Sequence, residues 1–85
     1  MSESNAPEAA PLEIFIEGSC PAPVLGCAKA LRRLPSGAEL VVKCLDPASV
    51  ADLAAFSRQS GNTLLQQTEE RRGEQVVYCH RLRRK

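Results

Sequence analysis

The chain has one histidine, no Cys-x-x-Cys pair and no long apolar run. Each absence closes a class of function. His80 has no partner at metal-ligand spacing, and the cysteine spacing does not support a zinc site, so no metal or cofactor is expected. The apolar runs are too short to span a bilayer, and the chain does not begin with a basic segment leading into an apolar stretch. No membrane association and no secretory signal are therefore expected. Four cysteines in such a chain read as reduced thiols of the cytoplasm rather than a disulfide scaffold.

Eighty-five residues make one small domain, able to bury about 60% of the surface its unfolded chain exposes. Residues 1–11 are rich in Ser, Glu, Ala and Pro without apolar periodicity, and read as a disordered tail ahead of a domain over 12–83. Eleven basic residues nearly balance ten acidic ones, but unevenly. The first twenty residues carry only Glu3, Glu8, Glu13 and Glu17, while the end reads His80-Arg81-Leu82-Arg83-Arg84-Lys85. That basic end could meet phosphate or an acidic surface, or could simply be solvated. Four cations make a weak electrostatic footprint, so nucleic acid is not expected as a partner.

The most informative run is Glu17-Gly18-Ser19-Cys20-Pro21-Ala22-Pro23-Val24-Leu25. Proline is tolerated in a first helical turn, where amide hydrogens have no intrahelical acceptor. With Pro21 first and Pro23 third, Cys20 becomes the helix N-cap. Its sulfur then sits at the positive end of the helix dipole, which favours the thiolate. The two fixed φ angles make the arrangement rigid. A buried, inert thiol is the competing reading of Cys20.

Around this motif the pattern predicts the order βαβαββ. Leu12–Ile16 alternates as a strand with Leu12, Ile14 and Ile16 toward the core. A helix over 21–34 carries the stripe Val24, Leu25, Ala28, Leu31 and Leu34, and leaves Cys27 on the surface or core edge. Glu39–Leu45 is a strand whose Leu40, Val42 and Cys44 share a face. Asp46 caps a second helix with Pro47 at its first position, Val50, Leu53, Ala54 and Phe56 buried, and Gly61 as C-terminal cap. Strands over 63–68 and 75–82 follow, joined through Glu69-Glu70-Arg71-Arg72-Gly73. The expected fold is an α/β chain of the α+β two-layer type, with a four-stranded mixed sheet and both helices on one face.

The Cys-Pro-x-Pro run resembles the signature of the TusA (SirA-like) family of small sulfur carriers. Lys29 and Leu31 match the family's first helix, and Leu34-Pro35-Ser36-Gly37 its helix-to-strand turn. Asp46-Pro47-Ala48 matches the start of its second helix. Asp52, Phe56, Gly61 and Leu64-Leu65 fit the second helix and third strand, so the likeness spans about residues 12–83. Leu45, Ser57 and Asn62 depart from residues common in the family: an Asp, a second cysteine and a His.

The resemblance implies that Cys20 accepts sulfane sulfur as a persulfide, with Gly18, Pro21 and Pro23 shaping the site. It also implies a cysteine desulfurase or rhodanese-like donor, and an acceptor in tRNA thiolation, cofactor assembly or sulfur oxidation. Such a carrier turns over only with partner proteins. Exchange at sulfur needs a thiolate and access, not a general base or a metal. The alternative function is a small binding or regulatory module with an idle cysteine, reaching RNA through the basic end. Cys44 and Cys79 read as structural, His80 as a satisfied strand histidine, Lys29 as solvated and Asp46 as a helix cap.

Overall fold

A computed structural model of the protein describes residues 11–18 and 22–85. The tail expected over 1–11 lies outside the described residues except for Pro11. The elements are β1 (Leu12–Ile16), α1 (Ala22–Arg32), β2 (Glu39–Cys44), α2 (Ser49–Ser60), β3 (Thr63–Arg72) and β4 (Gln75–Arg83). The sheet order is β1-β2-β4-β3. β1 runs parallel to β2, and β4 is antiparallel to both β2 and β3. Both crossovers, β1-α1-β2 and β2-α2-β3, therefore step across the sheet in the same direction. Right-handed connection then puts both helices on one face, which is the expected α+β architecture.

The core lies between that face and the helices. Leu40 and Val42 of β2, Leu82 of β4, Cys27 and Leu31 of α1, and Leu53 of α2 form it, with Ile14, Ile16, Val24, Ala30, Leu34, Phe56 and Leu64 packed around. Leu12, expected inside, starts the edge strand and is exposed. The buried stripe of α1 is Pro23, Cys27 and Leu31 at four-residue spacing. Leu25 is 56% exposed because, at about 100° per residue, it lies some 200° around the helix from Cys27. Cys27 is thus a core residue rather than a surface one.

In α2 the buried stripe is Ser49, Leu53 and Ser57, while Val50 is exposed. The buried hydroxyls find partners within the fold. Ser57 Oγ donates to the Leu53 carbonyl at 2.8 Å. Asp46 is not the helix cap expected of it but lies two residues before the N-cap, Ala48. Its Oδ1 accepts the Ala48 N–H at 3.0 Å and its carbonyl accepts the Ser49 N–H at 3.0 Å, forming a tight turn from which the helix proper begins. Gly61 closes α2 as expected, at φ +84 with its N–H on the Ser57 carbonyl.

The segment expected as the β3–β4 connection is paired strand instead. Glu69, Glu70, Arg71 and Arg72 face Tyr78, Val77, Val76 and Gln75, leaving a turn of Gly73 and Glu74. Gly73 supplies the positive φ of +62 that such a short hairpin favours. The charges belong to exposed strand positions, not to a loop. On the open face of the sheet Lys43 bridges Glu13 at 3.3 Å and Glu70 at 4.0 Å, and Arg72 meets Glu70 at 3.4 Å. Val77 stays 3% exposed on this face although no helix covers it.

The basic end is built into the fold. Arg81 and Arg83 hold Glu39 at 2.6 and 3.2 Å, and these contacts pull the Glu39 carboxyl pKa down. Arg84 exchanges backbone bonds with Gly37 and Ala38 at 2.9 Å, and its guanidinium donates to the Leu34 carbonyl at the end of α1. Asn62, one of the departures from the family pattern, accepts the Lys85 N–H at 2.9 Å.

His80 is fully buried beneath α2. A bulge between Leu64 and Gln66 shifts the parity of β3 and brings Gln67 opposite His80. Gln67 Nε2 donates to the Val50 carbonyl at 2.9 Å and lies 3.0 Å from His80 Nδ1. An amide nitrogen can only donate, so Nδ1 accepts and the ring proton is assigned to Nε2. Nε2 then donates to Ser49 Oγ at 2.9 Å, with Cys44 Sγ at 3.8 Å. This is the satisfied strand histidine the sequence led us to expect. A second ring proton would meet the Gln67 amide head-on, and burial lowers the His80 pKa.

A histidine held neutral contributes stability that is fully present above its unfolded pKa of about 6.5. That contribution is lost as pH falls toward the lower folded value. We expect denaturant midpoints to drop between pH 7.5 and 5.5, by at most about 1.4 kcal/mol per pH unit from this group. His80→Gln should lower stability overall and flatten that slope. An unchanged slope in the variant would contradict the assignment.

Candidate functional site

Parallel pairing of β1 with β2 aligns Ile16 with Cys44, so both strands end together. The chain leaves them toward the starts of α1 and α2, and the positive ends of both helix dipoles lie at this end of the sheet. Cys20, Ser19 and Pro21 lie outside the described residues. Their flanks, Gly18 and Ala22, are described.

Gly18 has φ +100, and a Cβ built there would lie 3.7 Å from Ala22 Cβ, an ordinary contact. Conformation rather than crowding requires glycine here. Pro23 is fully buried in the first turn of α1. Its missing N–H leaves no gap there, and its ring packs inward in line with Cys27 and Leu31.

The other thiols belong to the body of the fold. Cys27 is 0% exposed, and burial pushes its pKa up to about 12, so it stays protonated. Cys44 is equally buried, its Sγ 4.0 Å from the Tyr78 carbonyl and 3.8 Å from His80. Cys79 is half-buried, with its Sγ 4.0 Å from the Val77 carbonyl. None of these three sits at a helix start. Lys29 is exposed on α1. Among the described residues no group of three or more His, Cys, Asp or Glu could hold a metal. Among them, too, no helix is long and apolar enough to cross a membrane.

Sequence reasoning missed Ser49 and Gln67 as partners of His80. It also missed the tight contact of Gly26 with Ile16. Ser49 and Ser57, eight residues apart on the stripe of Leu53, were the one available signal, because polar residues on a core stripe need internal partners. Of the three family departures, Ser57 is buried and bonded, Asn62 holds the Lys85 backbone, and Leu45 is exposed just after β2.

A family model described as Sulfurtransferase TusA matches residues 17–81. The chain is 44% identical over 52 residues to the sulfur carrier protein TusA of Allochromatium vinosum, covering 61% of this chain and 68% of that protein. It is 40% identical over 52 residues to a putative sulfur carrier protein of Bacillus subtilis, covering 61% of this chain and 69% of the relative. A putative sulfur carrier protein of Neisseria meningitidis is 39% identical over 51 residues, covering 60% of this chain and 69% of its own length. With its motif, its βαβαββ order and a match over most of its length, the chain belongs to the TusA sulfurtransferase family.

Proposed function

We propose that this protein is a sulfur carrier whose Cys20 takes up sulfane sulfur and hands it on. The observation that carries the reading is the Cys-Pro-x-Pro run itself, set between the end of β1 and the start of α1 within the matched region. The Cys20 thiolate attacks the outer sulfur of a donor's persulfide. A new S–S bond forms to Cys20, the donor's S–S bond breaks, and the donor leaves as a thiolate. An acceptor thiolate then attacks the outer sulfur held on Cys20 and releases the Cys20 thiolate. Both steps are exchanges at sulfur that need no oxidant or reductant.

The donor in this reading is a cysteine desulfurase or rhodanese-like protein of the cytoplasm, and the acceptor a protein of tRNA thiolation, cofactor assembly or sulfur oxidation. Glu39 pairs with both Arg81 and Arg83, which reduces the free charge on which the alternative RNA-binding reading draws.

Incubation with a desulfurase and cysteine should add one sulfur to the intact protein. Cys20→Ser should abolish that addition, whereas Cys79→Ala should keep it. Sulfur retained in Cys20→Ser would overturn the assignment. Pro23 gives a second test. Its ring is buried, so Pro23→Ala should cost about 1–2 kcal/mol, lowering the melting temperature by roughly 4–16 °C. Pro21→Ala in an otherwise intact chain should slow sulfur uptake by freeing the first turn. An unchanged rate would leave that proline as a helix-start signal only.

A further inference from the structure

The contact between α1 and β1 has one narrow point. A Cβ built on Gly26 would stand 2.5 Å from Ile16 Cδ1 and 3.2 Å from Ile16 Cγ1. Carbon contacts in proteins run at about 3.5–4.0 Å. Gly26 is not among the glycines with positive φ, so its backbone does not require glycine. Glycine inside a helix is less stable than alanine would be. What it permits here is close approach, with the isoleucine side chain lying against the helix backbone.

The position of this contact gives it a consequence. Ile16 is the last residue of β1, and Gly26 comes one turn after α1 begins at Ala22. The contact therefore clamps the two ends of the segment running through Gly18 and Cys20. We propose that Gly26 and Ile16 are positioning residues for Cys20, setting the separation of strand end and helix start that its elbow must bridge. The proposal rests on Cys20 being the working thiol.

The Ile16 δ-methyl can swing aside, but Cγ1 at 3.2 Å must also give by a few tenths of an ångström. Ile16 packs against the Cys27–Leu31 core, and a β-branched side chain has few χ1 choices with which to do so. Extra bulk at position 26 is therefore taken up where α1 meets the end of β1. A misplacement of about 1 Å can cost up to roughly a hundredfold in a positioned reaction.

The test reads thiol reactivity, which does not depend on whether Cys20 ever carries sulfur. In a Cys79→Ala background, with Cys27 and Cys44 buried, iodoacetamide alkylation of Cys20 is followed against pH by mass spectrometry. Gly26→Ala should slow alkylation near pH 7 by about three- to tenfold and move its pH midpoint. Adding Ile16→Val, which deletes the crowding δ-methyl, should restore the rate to within about twofold. Leu64→Ala, at a half-buried site in β3, should lower the melting temperature without moving the alkylation profile.

Unchanged alkylation in Gly26→Ala, or no recovery in the folded double variant, would overturn the proposal. If Gly26→Ala does not fold, Ile16→Ala opens the clamp from the other side, and an unmoved profile there would overturn it equally. A response to Gly26 in a protein that never takes up sulfur would remove the carrier function and leave the clamp standing.

Discussion

Both crossovers in this chain step the same way across the sheet, and right-handed connection leaves one face for both helices. The rest of the architecture depends on this constraint. Because β1 and β2 are parallel neighbours and each feeds a helix, the two helix starts come to the same end of the sheet. The segment that carries Cys20 in the sequence leads from the end of β1 to the start of α1, where the positive end of that helix's dipole lies. The same constraint leaves the opposite sheet face without a helix, and the Glu13–Lys43–Glu70–Arg72 chain of ion pairs lies across it. Exposed pairs of this kind add little stability. Val77 lies beside Glu13, Lys43 and Arg72 on this face and is only 3% exposed.

Each helix turns one leucine and two smaller residues inward. α1 offers Leu31 with Pro23 and Cys27, and α2 offers Leu53 with Ser49 and Ser57. The polar atoms buried in this way must be satisfied within the fold. Ser57 turns its hydroxyl back onto its own helix, whereas Ser49 reaches across to His80. His80 in turn needs Gln67, and Gln67 reaches it only because β3 is bulged. One choice of small helix residues thus fixes a tautomer, a strand irregularity and the position of the α2 start. Such a network specifies a single packing where an apolar core of equal volume would tolerate several.

The strands and helices were legible because their apolar periods are regular and their ends carry strong punctuation in Pro21, Pro35, Pro47, Gly61 and Gly73. What failed to read correctly has a common cause. Leu25 falls on the apolar stripe expected for α1 and Cys27 off it, and Val50 falls among the residues expected to be buried in α2, whereas the stripes turned inward are Pro23-Cys27-Leu31 and Ser49-Leu53-Ser57. Which side of a helix faces the sheet is a tertiary property. The hairpin was misjudged in the same way: Glu69 to Arg72 reads as a loop by charge, yet backbone pairing tolerates charge on an exposed strand. The motif at Cys20 was plain in sequence. The contact of Gly26 with Ile16 was not, since a lone glycine inside a helix carries no mark of what it approaches.

A carrier that works through one thiol must keep its other thiols silent, and here the fold does this by position. Sulfur exchange needs a thiolate that a partner can reach. Cys27 is denied both by the core, where burial pushes its pKa up to about 12. Cys44 is denied access by α2 and the His80 network. Cys79 is half-buried on the open face, on the side of the sheet opposite the helices. In the reading proposed above, selectivity for Cys20 is helped by where the layers of the fold place Cys27, Cys44 and Cys79.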